Sequence, residues 1–294
     1  MSRKRNLFFG SGCAIATPFR NGEIDYPAFG ELISLQIRNG TDALIVLGTT
    51  GEAPTINENE RREIILFAKE KIGGRIPLII GTGTNSTEVS IRYTKMAYDL
   101  GADACLLVTP YYNKATPNGL YEHYKKVAQS VDIPLILYNV PTRTCVNIPL
   151  EIYERLKEID NIVGIKEASP SVSYMSEIIS LYGDYFDVYT GNDDLTYVNL
   201  SLGGSGVISV CANLIPSYMH QLCYEFKNGN IEKSRELSLK LIPLIREMFS
   251  EVNPVPVKEA LSQMGLCLSD MRLPLTKSMR KEQITKVLKE YNLI

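Results

Sequence analysis

The chain has 294 residues, of which 45% are hydrophobic and 22% charged, and its formal net charge is -2. This is an ordinary globular composition, with no electrostatic footprint for nucleic acid or an anionic membrane surface. No apolar run approaches the roughly 18 residues of a membrane-spanning helix, and no apolar core follows the basic N-terminus, so a cytoplasmic protein without a signal peptide is expected.

Short apolar runs alternate with longer amphipathic stretches along most of the chain. The runs cover Cys13 to Thr17, Ala43 to Leu47, Pro77 to Gly81, Ala104 to Thr109, Pro134 to Tyr138, Ile162 to Lys166, Phe186 to Thr190 and Gly206 to Val210. Each is nearly all apolar rather than alternating, which predicts strands covered on both faces in a parallel sheet. Helices are expected after Asp25, after Asn57 with Glu60 at the capping-box position, after Ser86, and from Pro117 to Val131. Gly40, Gly73 and Gly101 mark helix ends. Eight such βα units predict a (β/α)8 TIM barrel over residues 1–228. An open doubly wound sheet would need a glycine-rich loop after its first strand, and Cys13 to Arg20 supplies none. Past Asn228 only helical patterns remain, so residues 229–294 read as a C-terminal helical extension.

The six cysteines include no CxxC pair and mostly sit in apolar runs, as small buried hydrophobes of a reducing compartment do. With His123 and His220 as the only histidines, no zinc site is expected. Catalysis would have to come from Lys, Tyr, Thr, Ser or carboxylates.

In such barrels the active site lies at the C-terminal ends of the strands. There the sequence puts Gly48-Thr49-Thr50-Gly51-Glu52, Thr109-Pro110-Tyr111-Tyr112-Asn113, Tyr138 to Arg143, Lys166-Glu167 and Gly191-Asn192-Asp193. Lys166 closes a buried strand, where an ammonium costs several kcal/mol or more unless it is paired or neutral. A neutral amine there is a nucleophile for a carbonyl carbon. Glu167 does not rescue the charge, since successive strand residues face opposite ways. Tyr138 closes the preceding strand and is a proton carrier. An ordinary phenol titrates near ~10, so Thr49 or Tyr112 would have to relay the proton. Arg143 is suited to a carboxylate, and the Gly48–Gly51 turn offers amides and hydroxyls to another. The residues by themselves leave blander roles open: a lysine reaching solvent, tyrosines capping the core, an arginine in a surface ion pair, a plain turn. Gly203-Gly204-Ser205-Gly206 precedes its strand and reads as a turn at the opposite face.

Taken with Gly164-Ile165-Lys166-Glu167-Ala168 and Gly206-Val207-Ile208-Ser209-Val210, these stretches resemble the pyruvate-dependent class I aldolase and N-acetylneuraminate lyase family, and within it the dihydrodipicolinate synthase branch. The likeness runs over essentially the whole chain. It implies that Lys166 forms a Schiff base with pyruvate and that Tyr138 donates and accepts protons. It implies a relay of Thr49 and Tyr112, with Tyr112 supplied by a neighbouring subunit. Thr50 would hold the pyruvate carboxylate, Arg143 would bind L-aspartate 4-semialdehyde at the mouth, and Gly191 and Ile208 would line the pocket through their backbones. No metal or organic cofactor is implied. A homo-oligomer is, as a dimer of dimers. The implied activity is the first committed step of diaminopimelate and lysine biosynthesis. Rival expectations are a sister lyase acting on N-acetylneuraminate or a keto-deoxy sugar acid, and a non-catalytic keto-acid-binding barrel. The Thr49-Thr50 pair and Arg143 favour the synthase. Lysine-inhibited relatives tend to carry an acidic group where this chain has Val89, and histidines near Glu58 and Arg61, so weak or absent lysine inhibition is expected.

Overall fold

Seven of the eight apolar runs form strands where they were read and the first contributes the end of one, each strand covered by barrel interior on one side and helices on the other. In the computed structural model, which describes residues 7–294, the strands are β1 Gly10–Ala14, β2 Ala43–Val46, β3 Leu78–Gly81, β4 Ala104–Val108, β5 Leu135–Asn139, β6 Ile162–Glu167, β7 Asp187–Thr190 and β8 Gly206–Ser209. They pair in parallel, each with its sequence neighbours, and β8 pairs with β1 to close the barrel. The (β/α)8 expectation is met. β1 is corrected: it starts at Gly10 rather than Cys13, because the closing seam needs glycine. A Cβ on Gly206 would lie 1.9 Å from the Gly10 carbonyl oxygen, and both glycines have positive φ. The polar look of Gly10-Ser11-Gly12 concealed a buried strand. A short antiparallel ribbon, Phe19–Arg20 with Glu23–Ile24, was also not foreseen.

One main helix follows each strand: α1 Tyr26–Arg38, α2 Glu58–Ile72, α3 Thr87–Asp99, α4 Pro117–Ala128, α5 Leu150–Leu156, α6 Val172–Tyr182, α7 Thr196–Ser201 and α8 Pro216–Lys227, with an extra turn of helix at Pro141–Thr144 before α5. Several start where the capping chemistry says. Asn57 and Glu60 form a reciprocal capping box on α2, and the Asp25 side chain accepts from the Ala28 amide at α1. Ser86 precedes α3 but makes no side-chain cap. Three further helices follow: α9 Ile231–Met248, α10 Val255–Gln263 and α11 Lys281–Glu290.

The apolar interior is divided by the sheet. One cluster lies between strands and helices; the other fills the barrel with Ile45, Ile79, Leu106, Ile136, Tyr189 and Ile208. Phe8 stacks on Tyr189 at 4.3 Å, and the Tyr189 hydroxyl donates to the Phe8 carbonyl at 2.7 Å. This plug closes the barrel below the strand C-termini, so open space remains at the other end. No helix among the described residues is long and apolar enough to cross a membrane.

Candidate active site

β5 and β6 are in register with Tyr138 beside Lys166. Strand alternation turns both inward, since Ile165 and Glu167 are needed against the helix layer. Lys166 is 5% exposed, and its Nζ lies 4.3 Å from the centroid of the Tyr138 ring. Glu167 faces away from it. Its carboxylate accepts from the Ser169 amide at 2.6 Å and the Asn139 side-chain amide at 2.8 Å. Burial pushes the Glu167 carboxyl up, and those hydrogen bonds pull against the rise.

Around Lys166 is a cavity of about 150 Å³, lined among others by Gly48, Thr49, Thr50, Tyr138, Arg143, Gly191, Phe249 and Asn253. Gly191 is glycine for a steric reason. A Cβ there would lie 2.8 Å from Lys166 Cε and 2.7 Å from the Ala168 Cβ, so any side chain would displace the lysine. The buried Thr50 hydroxyl accepts from Asn253 Nδ2 at 3.0 Å, which leaves its proton to donate into the cavity. Arg143, on the one-turn helix Pro141–Thr144 after β5, donates to the Asn253 carbonyl at 3.2 Å. Ile208 is fully buried in the interior cluster that includes Tyr138 and does not line the cavity.

Asp193, in the turn after β7, is 1% exposed. It accepts from the Ser209 hydroxyl, from the Val210 amide at 3.0 Å and from the Cys211 amide at 3.3 Å, fixing the chain that leaves β8. Burial raises its carboxyl to about 6, against those hydrogen bonds and the positive charge of Lys166.

A buried amine against a phenol, with hydroxyls and a guanidinium around one small cavity, is the equipment for imine chemistry on a keto acid. The sequence profile of the Dihydrodipicolinate synthetase family matches residues 7–291. The chain belongs to that family. Within it, the chain is 47% identical over 294 residues to a 4-hydroxy-tetrahydrodipicolinate synthase of Thermotoga petrophila, covering 98% of this chain and 100% of the relative. The dihydrodipicolinate synthase structure from Thermotoga maritima superposes with a TM-score of 0.96 at 47% identity, covering 98% of this chain and 100% of that one. That of the Acinetobacter baumannii enzyme, complexed with pyruvate, gives 0.95 at 42% identity over 97% of this chain and 99% of its own.

For a member of the dihydrodipicolinate synthetase family, two features of the site have no local origin in the residues themselves. Tyr112 is 92% exposed, has a φ of 71°, and lines neither the lysine cavity nor its neighbour. Asn253 and Phe249 come from beyond α8, in the C-terminal extension to which the sequence reading gave no part in the site. Two adjacent irregular residues, Asn253-Pro254, were the sole local signal, and a turn explains them equally well.

A second, larger cavity of about 440 Å³ shares Gly48, Thr49, Tyr138 and Arg143 with the first. Ala53, Pro54, Arg61, Asn85, Val89 and Tyr111 line its other side. Glu58 does not line it and instead pairs with Arg92 at 3.2 Å. Arg61 donates to the Gly81 carbonyl at 2.8 Å and lies 4.2 Å from the Tyr93 ring centroid.

Proposed function

We propose that this chain condenses pyruvate with L-aspartate 4-semialdehyde through a Schiff base on Lys166, giving 4-hydroxy-tetrahydrodipicolinate. The observation that carries the assignment of roles is the pairing of Lys166 Nζ with the Tyr138 ring at 4.3 Å inside a cavity that also presents Thr50 and Arg143. The Lys166 amine attacks the pyruvate ketone, and loss of one water leaves a protonated imine. That imine is an electron sink, so a methyl proton leaves to give an enamine. The enamine carbon attacks the aldehyde, whose oxygen takes a proton and stays as the 4-hydroxyl. The amine of the second substrate then adds to the imine carbon, closes the ring and expels Lys166. Tyr138 takes and returns the protons. Thr49 is the next member of the relay, and Thr50 donates to the pyruvate carboxylate. Gly191 leaves room for the adduct, with the Ile208 backbone behind it. Arg143 receives the carboxylate of the semialdehyde.

Tyr112 completes the relay from a neighbouring copy. Its exposure and its place outside its own cavity support that reading, and the working form proposed with it is a cytoplasmic dimer of dimers. The proposed domain division makes residues 229–294 a helical unit laid on the barrel, with Phe249 and Asn253 as its contribution to the mouth.

The deciding experiment is borohydride reduction in the presence of pyruvate, with peptide mass mapping, alongside turnover assays on the synthase substrates and on N-acetylneuraminate. The expected result is pyruvate reduced onto Lys166 and turnover with the semialdehyde alone. Trapping at another lysine, or turnover only of the sugar acid, would sink the assignment.

The larger cavity bears on regulation. Its lining contains no Asp or Glu, so the ammonium of a bound lysine would meet no anion there. Free L-lysine is expected to leave the rate essentially unchanged up to millimolar concentrations. A dose–response with half-inhibition below a millimolar contradicts this.

A further inference from the structure

The Gly48–Glu52 stretch ends in a buried carboxylate that the reaction above does not use. Glu52 is 2% exposed and has a φ of 53°, a left-handed conformation that is uncommon outside glycine. Its Oε1 accepts from Lys258 Nζ at 2.6 Å, and its Oε2 accepts from the Arg272 amide at 3.1 Å. Lys258 is fully buried on the first turn of α10. It donates again to the Thr17 carbonyl at 3.0 Å, and its ammonium lies 4.3 Å from the Phe19 ring centroid. Thr17 in turn donates from its hydroxyl to the Gly51 carbonyl at 2.8 Å. Thus every bond holding the Glu52 side chain comes from more than 200 residues away, from Lys258 and Arg272.

The same incoming segment grips the turn twice. Asn253 holds the Thr50 hydroxyl, and Lys258, five residues later, holds Glu52, two residues after Thr50. Two separated anchors fix orientation as well as position. Thr49 and Thr50 lie between barrel and segment, on the wall of the lysine cavity. A buried ion pair is a poor device for stability alone, since desolvating both charges offsets most of their attraction. A pair of apolar side chains would fill this space without desolvating two charges, at the loss of the bonds to the Arg272 amide and the Thr17 carbonyl. What an ion pair adds is a fixed register between two parts of the chain.

We propose that Glu52 and Lys258 are positioning residues that set the Thr49–Thr50 turn for the carboxylate of the keto-acid substrate, and that the helical segment after residue 228 is thereby required for binding that substrate. The inference rests on the reading of Thr50 and Lys166 given above. It places a determinant of keto-acid affinity outside the cavity, in a pair touching neither substrate.

The test compares the full-length enzyme with the double variant Glu52→Leu/Lys258→Met, which removes both charges at similar volume. The double variant is expected to melt close to the parent, to raise the pyruvate KM roughly tenfold, and to leave kcat and the semialdehyde KM within about twofold. Borohydride labelling of Lys166 should recover at saturating pyruvate. A folded double variant with the parental pyruvate KM overturns the proposal. Should the double variant not fold, Lys258→Arg decides. It keeps the charge but displaces it, so a pyruvate KM raised about threefold with kcat held is expected, and an unchanged KM overturns the proposal. Failure of the underlying reading shows separately, as pyruvate trapped in the parent enzyme at a lysine other than Lys166.

Discussion

Lys166→Arg is expected to lower turnover by roughly 10⁴-fold or more, because a guanidinium keeps the charge but cannot form the imine. The substitution also isolates chemistry from electrostatics. Asp193 would still feel a cation at the end of β6, in the cavity that Thr49 and Thr50 line. If positive charge in the cavity were what the reaction needed, Lys166→Arg would stay active. If an amine nucleophile is needed, activity falls and borohydride no longer attaches pyruvate to the chain. A circular-dichroism melt separates this from misfolding, since the Gly191 backbone packs against the lysine stem and a larger head group strains it. Retained turnover with a parental melt would end the imine pathway for this protein.

Tyr138→Phe should leave the first chemical step possible and slow those that follow. The ring that packs against Lys166 remains, so the amine keeps its surroundings and pyruvate is still reduced onto Lys166. The proton transfers that make the enamine and complete the aldol lose their carrier, and kcat should fall by about 10²–10⁴-fold. Because the phenyl ring fills the same space, the melting temperature should move little. Pre-steady-state trapping against steady-state turnover is the measurement. A variant with normal kcat would assign the protons to Thr49 or to water and remove Tyr138 from the mechanism.

How much of this was open to a reader of the sequence follows from range. The barrel was legible because most strands are short apolar runs set between helix start signals, and both signals are local. Lys166 and Tyr138 stood out because each ends such a run, and parallel neighbours in a barrel bring strand ends together. Gly10-Ser11-Gly12 was misplaced because its strand character comes from the approach of Gly206, which no local pattern encodes. No local pattern encodes the exposure of Tyr112 either: Tyr111 and Tyr112 read alike, only the family resemblance turned Tyr112 toward a neighbouring subunit, and in the structure Tyr111 lines a cavity while Tyr112 is exposed.

Local chemistry along the chain thus determined the architecture and the reactive pair, since helix caps, strand composition and the position of a lysine at a strand end act over a few residues. Only the folded molecule decided what surrounds that pair. Asn253 reaches Thr50 and Arg143 across more than 100 residues, and Lys258 meets Glu52 across more than 200. Such contacts are created when the last helices dock on the barrel mouth, and their partners share no sequence signal that marks them beforehand.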